Sequence, residues 1–399
     1  MSTTIERMLQ NLGSNADAVK TPAYIISQEI LRDNILSLFE SFTAKFPKFI
    51  FGYSYKTNYA TSVLRTVHST GGYAEVVSPM ELQHARKFVD DKHIIYNGVI
   101  PDTENKYTVA RNGGMVNVEN LTELTAINGC AARDGVEVEV GIRVNLNLEG
   151  VAQSRFGIRI SPENYEAITA LKNIKVVGIH CHITKSRDLE YWAQKAEQMA
   201  HIATIFNARY IDLGGNMYGP MNPELAKQFS RKIPTFSDYA DCIYENFRKY
   251  YGHGNMPTLI VEAGTPIISN AQSLLATVVD IKTVDTSVKA TIDAKRLDVT
   301  VIGDSGKQFP YYVIDGGDKE VENATVHGCT CLEFDKLIET YSGPLSVGSR
   351  ILFDNIGSYS NVLAPRFIQG VPAAYSYDED KFTLVKKADS YETVFGEYL

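Results

Sequence analysis

Short apolar, β-prone runs alternate with helix-length amphipathic stretches from residue 29 to about residue 265. The runs are FIFGYSY (49–55), GYAEVVS (72–78), HIIYNGV (93–99) and GMVNVEN (114–120). They continue with VEVEVGIRVN (136–145), VVGIHCHI (176–183), YIDLGG (210–215) and TLIVEAG (258–264). Between them lie segments such as SPMELQHARKFV and DLEYWAQKAEQMAHIATIF, whose apolar positions recur at helical spacing. Strand–helix alternation predicts an α/β fold with a parallel sheet and helical crossovers. Eight strands is the number that closes a (β/α)8 TIM-like barrel, although an open doubly wound sheet accommodates eight as well. After about residue 270 the pattern changes, and TVVDIKTV, KRLDVTVIG, QFPYYVIDGG, ATVHGCTC and SRILFDNIGSYS read as strands separated by turns. The predicted organisation is a barrel over 29–270 and a C-terminal all-β domain over 271–399. Residues 1–28 form an N-terminal segment, a short helix or frayed arm followed by TPAYIIS (21–27), a strand expected to join the β domain.

Composition narrows the class. A chain that is 44% hydrophobic and 22% charged is neither disordered, collagen-like nor a coiled coil. Its formal charge of −8 repels phosphate backbones, so neither nucleic acid nor an anionic membrane is expected as a partner. There is no apolar run of spanning length and no apolar core of signal-peptide type in MSTTIERMLQNLGSNADAVK, so the expected location is the cytoplasm. Five cysteines, an odd number in a long chain, read as free thiols rather than a disulfide framework.

In a β/α barrel the chemistry sits at the C-terminal ends of the strands. Lys56 ends the first run. Alternation places it on the face of Gly52 and Ser54, opposite Phe51, Tyr53 and Tyr55, so it faces either the barrel mouth or solvent. His180 and His182, two residues apart, form a metal pair, stack on a planar ring, or are satisfied core histidines. Gly214-Gly215 is either a plain turn or a place where backbone N–H groups approach a phosphate. Glu262 is a carboxylate in an apolar run and needs a partner, an ion pair or a cationic ligand. A lysine, a ring-stacking histidine, a glycine pair and a buried acid together point to pyridoxal phosphate. The amine condenses with the cofactor aldehyde, the acid keeps the pyridine nitrogen protonated, and the glycines receive the phosphate.

From about Thr21 to Tyr375 these motifs, in this order, resemble the fold-type III pyridoxal-phosphate decarboxylases, the group of diaminopimelate, ornithine/arginine and carboxynorspermidine decarboxylases. GYSYKTN is similar to the family's Schiff-base strand, which implies that Lys56 carries the cofactor. GYAEVVSPMEL supplies Glu75 as an acid near the cofactor, with Ser78 and Glu81 also matching. HCHI implies His182 over the pyridine ring, and Arg143 joins the cofactor contacts. LGGN resembles the phosphate loop, giving Gly214 and Gly215, with Asn216 where a third glycine is common. EAGT implies Glu262 at the pyridine nitrogen, with Gly264 and Thr265 following. In the β domain IDGG supplies Asp315 and HGCTCLEFD places Cys331 and Leu332 against the substrate, while FDNIGSYS puts Tyr359 near the phosphate. The resemblance also implies a barrel of the alanine-racemase type and a homodimer with shared active sites. The implied reaction is α-decarboxylation of an amino acid, with Cα protonated by Cys331 of the partner subunit.

Three departures stand out. Thr184-Lys185 replaces the family's Gly-Ser, and Thr265 replaces an arginine that pairs with the phosphate, so Lys185 is expected to substitute for that arginine. Leu332 stands where many relatives that bind a basic tail have an acid. The expected substrate is therefore a diamino acid, a carboxynorspermidine-like compound or a modified amino acid. Two alternatives are carried. One is an amino-acid racemase of the same fold, disfavoured by Glu262 and HGCTC; the other is a non-catalytic decarboxylase-like regulator, disfavoured by the retained Lys56, His182, Glu262 and Cys331.

Overall fold

The structure, a computed structural model, describes residues 3–184, 187–299 and 306–398. The chain begins with a helix, Thr3–Ser14, that buries Ile5, Met8 and Leu12. A strand, β1 (Ala23–Ser27), follows and passes into the helix Gln28–Thr43, whose first turn is capped by Ser27 Oγ accepting from Ile30 N at 3.3 Å.

Each of the eight apolar runs then contributes one parallel strand. They are β2 (Phe49–Ser54), β3 (Tyr73–Val76), β4 (Ile94–Tyr96), β5 (Met115–Val118), β6 (Val138–Arg143), β7 (Ile174–His180), β8 (Tyr210–Asp212) and β9 (Thr258–Val261). Pairing of β2 with β9, Phe49 opposite Leu259, closes the ring. The open doubly wound alternative is thereby excluded.

The β domain comprises β10 (Gln272–Val284), β11 (Ser287–Ile292), β12 (Tyr311–Ile314), β13 (Glu320–His327), β14 (Lys336–Pro344), β15 (Arg350–Phe353), β16 (Ala373–Asp378) and β17 (Lys381–Lys386). Strand β1 lies between β10 and β16, antiparallel to the first and parallel to the second. The long β10 ties the two halves of this sheet together. It pairs with β1 and β15 through its first half and with β11 from Val278 onward, across an irregularity between Val278 and Asp280. One expected strand is corrected: in KRLDVTVIG, residues Arg296–Asp298 form a single 3-10 turn, while residues 300–305 lie outside the described residues. The cause is local capping, because the Asp298 carboxylate accepts from Lys295 N at 3.1 Å. The Lys295 ammonium is in turn drawn onto the carbonyls of Pro365 and Gln369.

Period-two alternation sorts the barrel interior into two layers. Ile95, Tyr210 and Ile260 pack with Ile50, Tyr73 and Met115 into an apolar cluster in the barrel interior. Two residues further along the same strands, Glu75, Asn97, Asn117, Asp212 and Glu262 are buried at the mouth. The Tyr210 ring needs space in that plug, and Gly141 and Gly178 provide it. A Cβ on Gly178 would lie 2.0 Å from the ring, and one on Gly141 would lie 2.2 Å from its hydroxyl. Gly178→Ala should therefore lower the unfolding free energy by roughly 2–3 kcal/mol through overpacking, read as a fall in the urea midpoint. Gly129→Ala, at a helical position with no neighbour within 4 Å, should be neutral or stabilising in the same assay.

Candidate active site

Strand β2 ends in a 3-10 turn, Tyr55–Thr57, which lifts Lys56 over the barrel mouth. Its ammonium lies 2.7 Å from Ser54 Oγ and 2.6 Å from Glu75 Oε2, and Ser54 donates to the same carboxylate oxygen. The Lys56 side chain is 35% exposed and that of Glu75 is 1% exposed, so the amine is open to a ligand while its counter-ion is not. Burial pulls the Lys56 pKa down, but the charges of Glu75 and Glu262 outweigh it and hold the amine protonated above the usual lysine range.

A network of amides extends from Glu75. Asn97 Nδ2 donates to Glu75 Oε1 at 3.1 Å and also to Glu262. Asn97 Oδ1 accepts from Asn117 Nδ2 at 2.9 Å, and Asn117 Nδ2 reaches Asp212 Oδ2 at 3.2 Å. The Tyr210 hydroxyl donates to Asn117 Oδ1 at 3.0 Å, which fixes that amide's orientation. His180, Asp212 and Glu262 bring their donor atoms within 4.8 Å of one another, all buried. Burial and the Glu262 charge push the Asp212 carboxyl well up. Burial acts the same way on Glu262, but His180, Asp212 and Lys56 outweigh it and hold that carboxyl below the usual range. One acid of the pair is thus neutral and the other is an anion.

The two histidines diverge. His180 Nε2 is 3.5 Å from Glu262 Oε2, close but not hydrogen bonded, whereas His182 faces the turn after β8. Burial, then the charge of Lys56, push the His182 imidazole down to about 3, so the ring is neutral. Its Nδ1 accepts from Gly215 N at 3.1 Å, and Gly214 N donates to Asp212 Oδ1 at 2.9 Å. The glycine pair is therefore at the site, but its N–H groups, expected to be free for a phosphate, already hold the ring and the neutral acid. Gly214 has a φ of +62°, and a Cβ there would lie 2.8 Å from His182 Cβ, so only glycine lets the turn press against the ring.

Arg143, at the end of β6, donates to Glu119 at 2.9 Å and to the His182 carbonyl at 3.4 Å, and so bears on the histidine's backbone. Gly264 is pressed against Thr57, where a Cβ would lie 2.0 Å from Oγ1, and Thr57 Oγ1 is itself buried without a hydrogen bond. Thr265 Oγ1 is 2.8 Å from Ser358 Oγ, and Tyr359 N donates to Thr57 O at 3.0 Å, so the 264 and 358 loops meet at the β2 turn. Lys185 lies outside the described residues. Arg187, which the sequence motifs did not single out, donates from Nε to Asn216 Oδ1 at 3.1 Å and places a cation at the lip of the glycine turn.

Residues 32–269 match the profile of the family described as "Pyridoxal-dependent decarboxylase, pyridoxal binding domain". The chain belongs to the pyridoxal-dependent decarboxylases. Its cofactor is pyridoxal phosphate and its class is that of the carboxy-lyases. Along nearly its full length it is similar to the diaminopimelate decarboxylases of Aquifex aeolicus (26% identical, covering 95% of this chain and 92% of that one) and Methanocaldococcus jannaschii (26%, 96% and 92%). The fold superposes on the crystal structure of the M. jannaschii diaminopimelate decarboxylase in complex with L-lysine at a TM-score of 0.85 (23% identical, covering 98% of this chain and 94% of that one). The Helicobacter pylori enzyme with L-lysine gives 0.82 (22%, 96% and 97%). Among the described residues no helix is long and apolar enough to cross a membrane.

The donor set fits a pyridoxal-dependent decarboxylase: an accessible amine beside a sealed acid, an uncharged imidazole, a second buried anion and a buried hydroxyl without a partner. Cys331 is exposed on the loop between β13 and β14, next to the half-buried Leu332. Buried Asp335 shapes that loop, accepting from Thr330 N at 2.9 Å and Arg296 N at 2.7 Å, and Gly328 lies so close to it that a Cβ would be 2.3 Å from its oxygen. Asp315, expected at the substrate, pairs with Arg350, which also donates to Leu12 O at 2.8 Å and so anchors the N-terminal helix.

The neutral imidazole has a stability consequence. As pH falls below the ordinary histidine value of 6.5 the unfolded chain protonates His182 but the folded chain does not until about 3, so acid favours unfolding across that window. His182→Phe should flatten the pH dependence of urea unfolding of the cofactor-free chain below about pH 6.5 by up to one proton, with no difference in slope above it. An unchanged acid-side slope would show that the ring titrates normally.

Proposed function

We propose that this decarboxylase removes the α-carboxylate of a diamino acid of the diaminopimelate type. The observation that carries the reading is the Lys56 ammonium held by Glu75 on one wall of the barrel mouth, with Glu262 an anion on the adjoining strand. Pyridoxal phosphate supplies an electron sink that accepts the pair left when carbon dioxide departs. Lys56 holds the cofactor. Glu262 offers the negative charge that keeps a ring nitrogen protonated, and Asp212, as the neutral acid, avoids a second repelling charge beside it. His182, neutral and fixed by Gly215 and Arg143, supplies a flat face without competing for the proton. Because Gly214 and Gly215 are engaged, the phosphate is assigned to the 264–265 and 358–359 loops and to the side around Asn216, where Arg187 supplies a cation; Lys185, expected from the sequence to replace the missing arginine, lies outside the described residues.

Cys331 is proposed as the acid that protonates Cα, acting in the active site of a second copy of the chain. Its exposure on a loop of the β domain supports that geometry. The diamino-acid substrate rests on the likeness to diaminopimelate decarboxylases over the whole chain. Leu332 leaves recognition of the distal amine to other groups.

The test is carbon dioxide release from a panel of L-, D- and meso-diaminopimelate, lysine, ornithine, arginine and carboxynorspermidine. Release from meso-diaminopimelate above the others is expected, and release from none of them, with racemisation instead, would contradict the reading. Cys331→Ala should lower kcat by about 10²-fold without weakening cofactor binding. Mixing it with Lys56→Ala subunits should restore activity if sites are shared, and no restoration would place the whole site in one subunit.

A further inference from the structure

Asn97 is 4% exposed and was not marked by any motif. It follows β4, where its N–H is held by Val76 O at 2.9 Å, and Gly98 turns the chain away immediately after it. That turn needs glycine, since φ is +102° and a Cβ would lie 2.3 Å from Val77 O. The backbone therefore aims a single amide into the centre of the mouth layer. Both hydrogens on its nitrogen go to carboxylates, one to Glu75 and one to Glu262. A flipped amide would set a carbonyl against two acceptors and lose the donor from Asn117, so the orientation is fixed by its neighbours.

The two acids have different close partners. Glu75 is paired with Lys56 at 2.6 Å, whereas Glu262 lies with His180 and Asp212 and reaches Lys56 through its charge. Hydrogen bonds to ionised acceptors are about twice as strong as neutral ones, and bonds sharing a polarised amide strengthen one another in a low-dielectric interior. Removing the charge at one end of such a bridge changes what the amide offers the other. We propose that Asn97 is a positioning residue that couples the acid beside Lys56 to the acid meant for the pyridine nitrogen, so that the two respond to the cofactor as one unit. The inference rests on the assignment of Lys56, Glu75 and Glu262 to the cofactor.

The experiment is a double-mutant cycle on cofactor affinity in the full chain, titrating apo-protein with pyridoxal phosphate. Glu75→Gln, Glu262→Gln and their combination are measured in the native background and again with Asn97→Leu. In the native background the combined loss should fall short of the product of the single losses by about tenfold or more, and with Asn97→Leu the two should multiply within about twofold. Equal coupling in both backgrounds would overturn the proposal, because the acids would then interact through space. So would independent effects in the native chain. A role confined to stability would lower the urea midpoint of Asn97→Leu and leave the coupling intact, which also counts against it. Asn97→Ala serves in the same cycle if the leucine variant does not fold. Failure of the native chain to take up the cofactor would overturn the site assignment itself, which separates that failure from this one.

Discussion

Burying three carboxylates in one barrel mouth is the constraint around which this molecule is arranged. Glu75, Asp212 and Glu262 are 1%, 0% and 4% exposed, and one amine, Lys56, lies among them. Unpaired buried charge is costly, so each acid must find a cation, a donor or a proton. Glu75 has Lys56, Ser54 and Asn97; Asp212 has Asn117, the Gly214 N–H and a proton; Glu262 has Asn97 and the proximity of His180. The result is a site whose charge pattern is set before any ligand arrives, which is how preorganised electrostatics contribute to catalysis.

The surrounding packing keeps that arrangement in place. The apolar plug of Ile95, Tyr210 and Ile260 seals the barrel below the acids, and Tyr210 also orients Asn117 with its hydroxyl. On the opposite side, Asn58 ties the β2 turn to the β domain, donating to Gln272 Oε1 at 2.8 Å and to Gly357 O at 3.1 Å. The β domain therefore also helps to hold the turn that carries Lys56.

Much of this was legible in the chain because the signals were local. Alternating apolar runs predicted all eight barrel strands, and Lys56, His182 and Glu262 stood out as polar residues at strand ends. Asn97, Asn117 and Asp212 did not stand out, since each lies in a different short run and only closure of the barrel brings them together. The glycine pair shows the opposite difficulty. Its presence was readable, but the use of its N–H groups depended on an acid two residues earlier and a histidine just past the end of β7. KRLDVTVIG had β-like composition, but over its described residues an aspartate capping its own turn overrode it. Asp335 did not stand out because, although Thr330 is a near neighbour on its own loop, its other partner, Arg296, is distant in the chain and is brought to it only by the fold.

The central claim is that Lys56, poised between Glu75 and Glu262, is the residue that holds the cofactor. Borohydride reduction of the cofactor-loaded chain, followed by peptide mapping by mass spectrometry, tests it directly. The account predicts a pyridoxyl adduct on the peptide containing Lys56 and on no other. An adduct on a different lysine, such as the buried Lys195 behind the glycine turn, or no adduct at all, would contradict it.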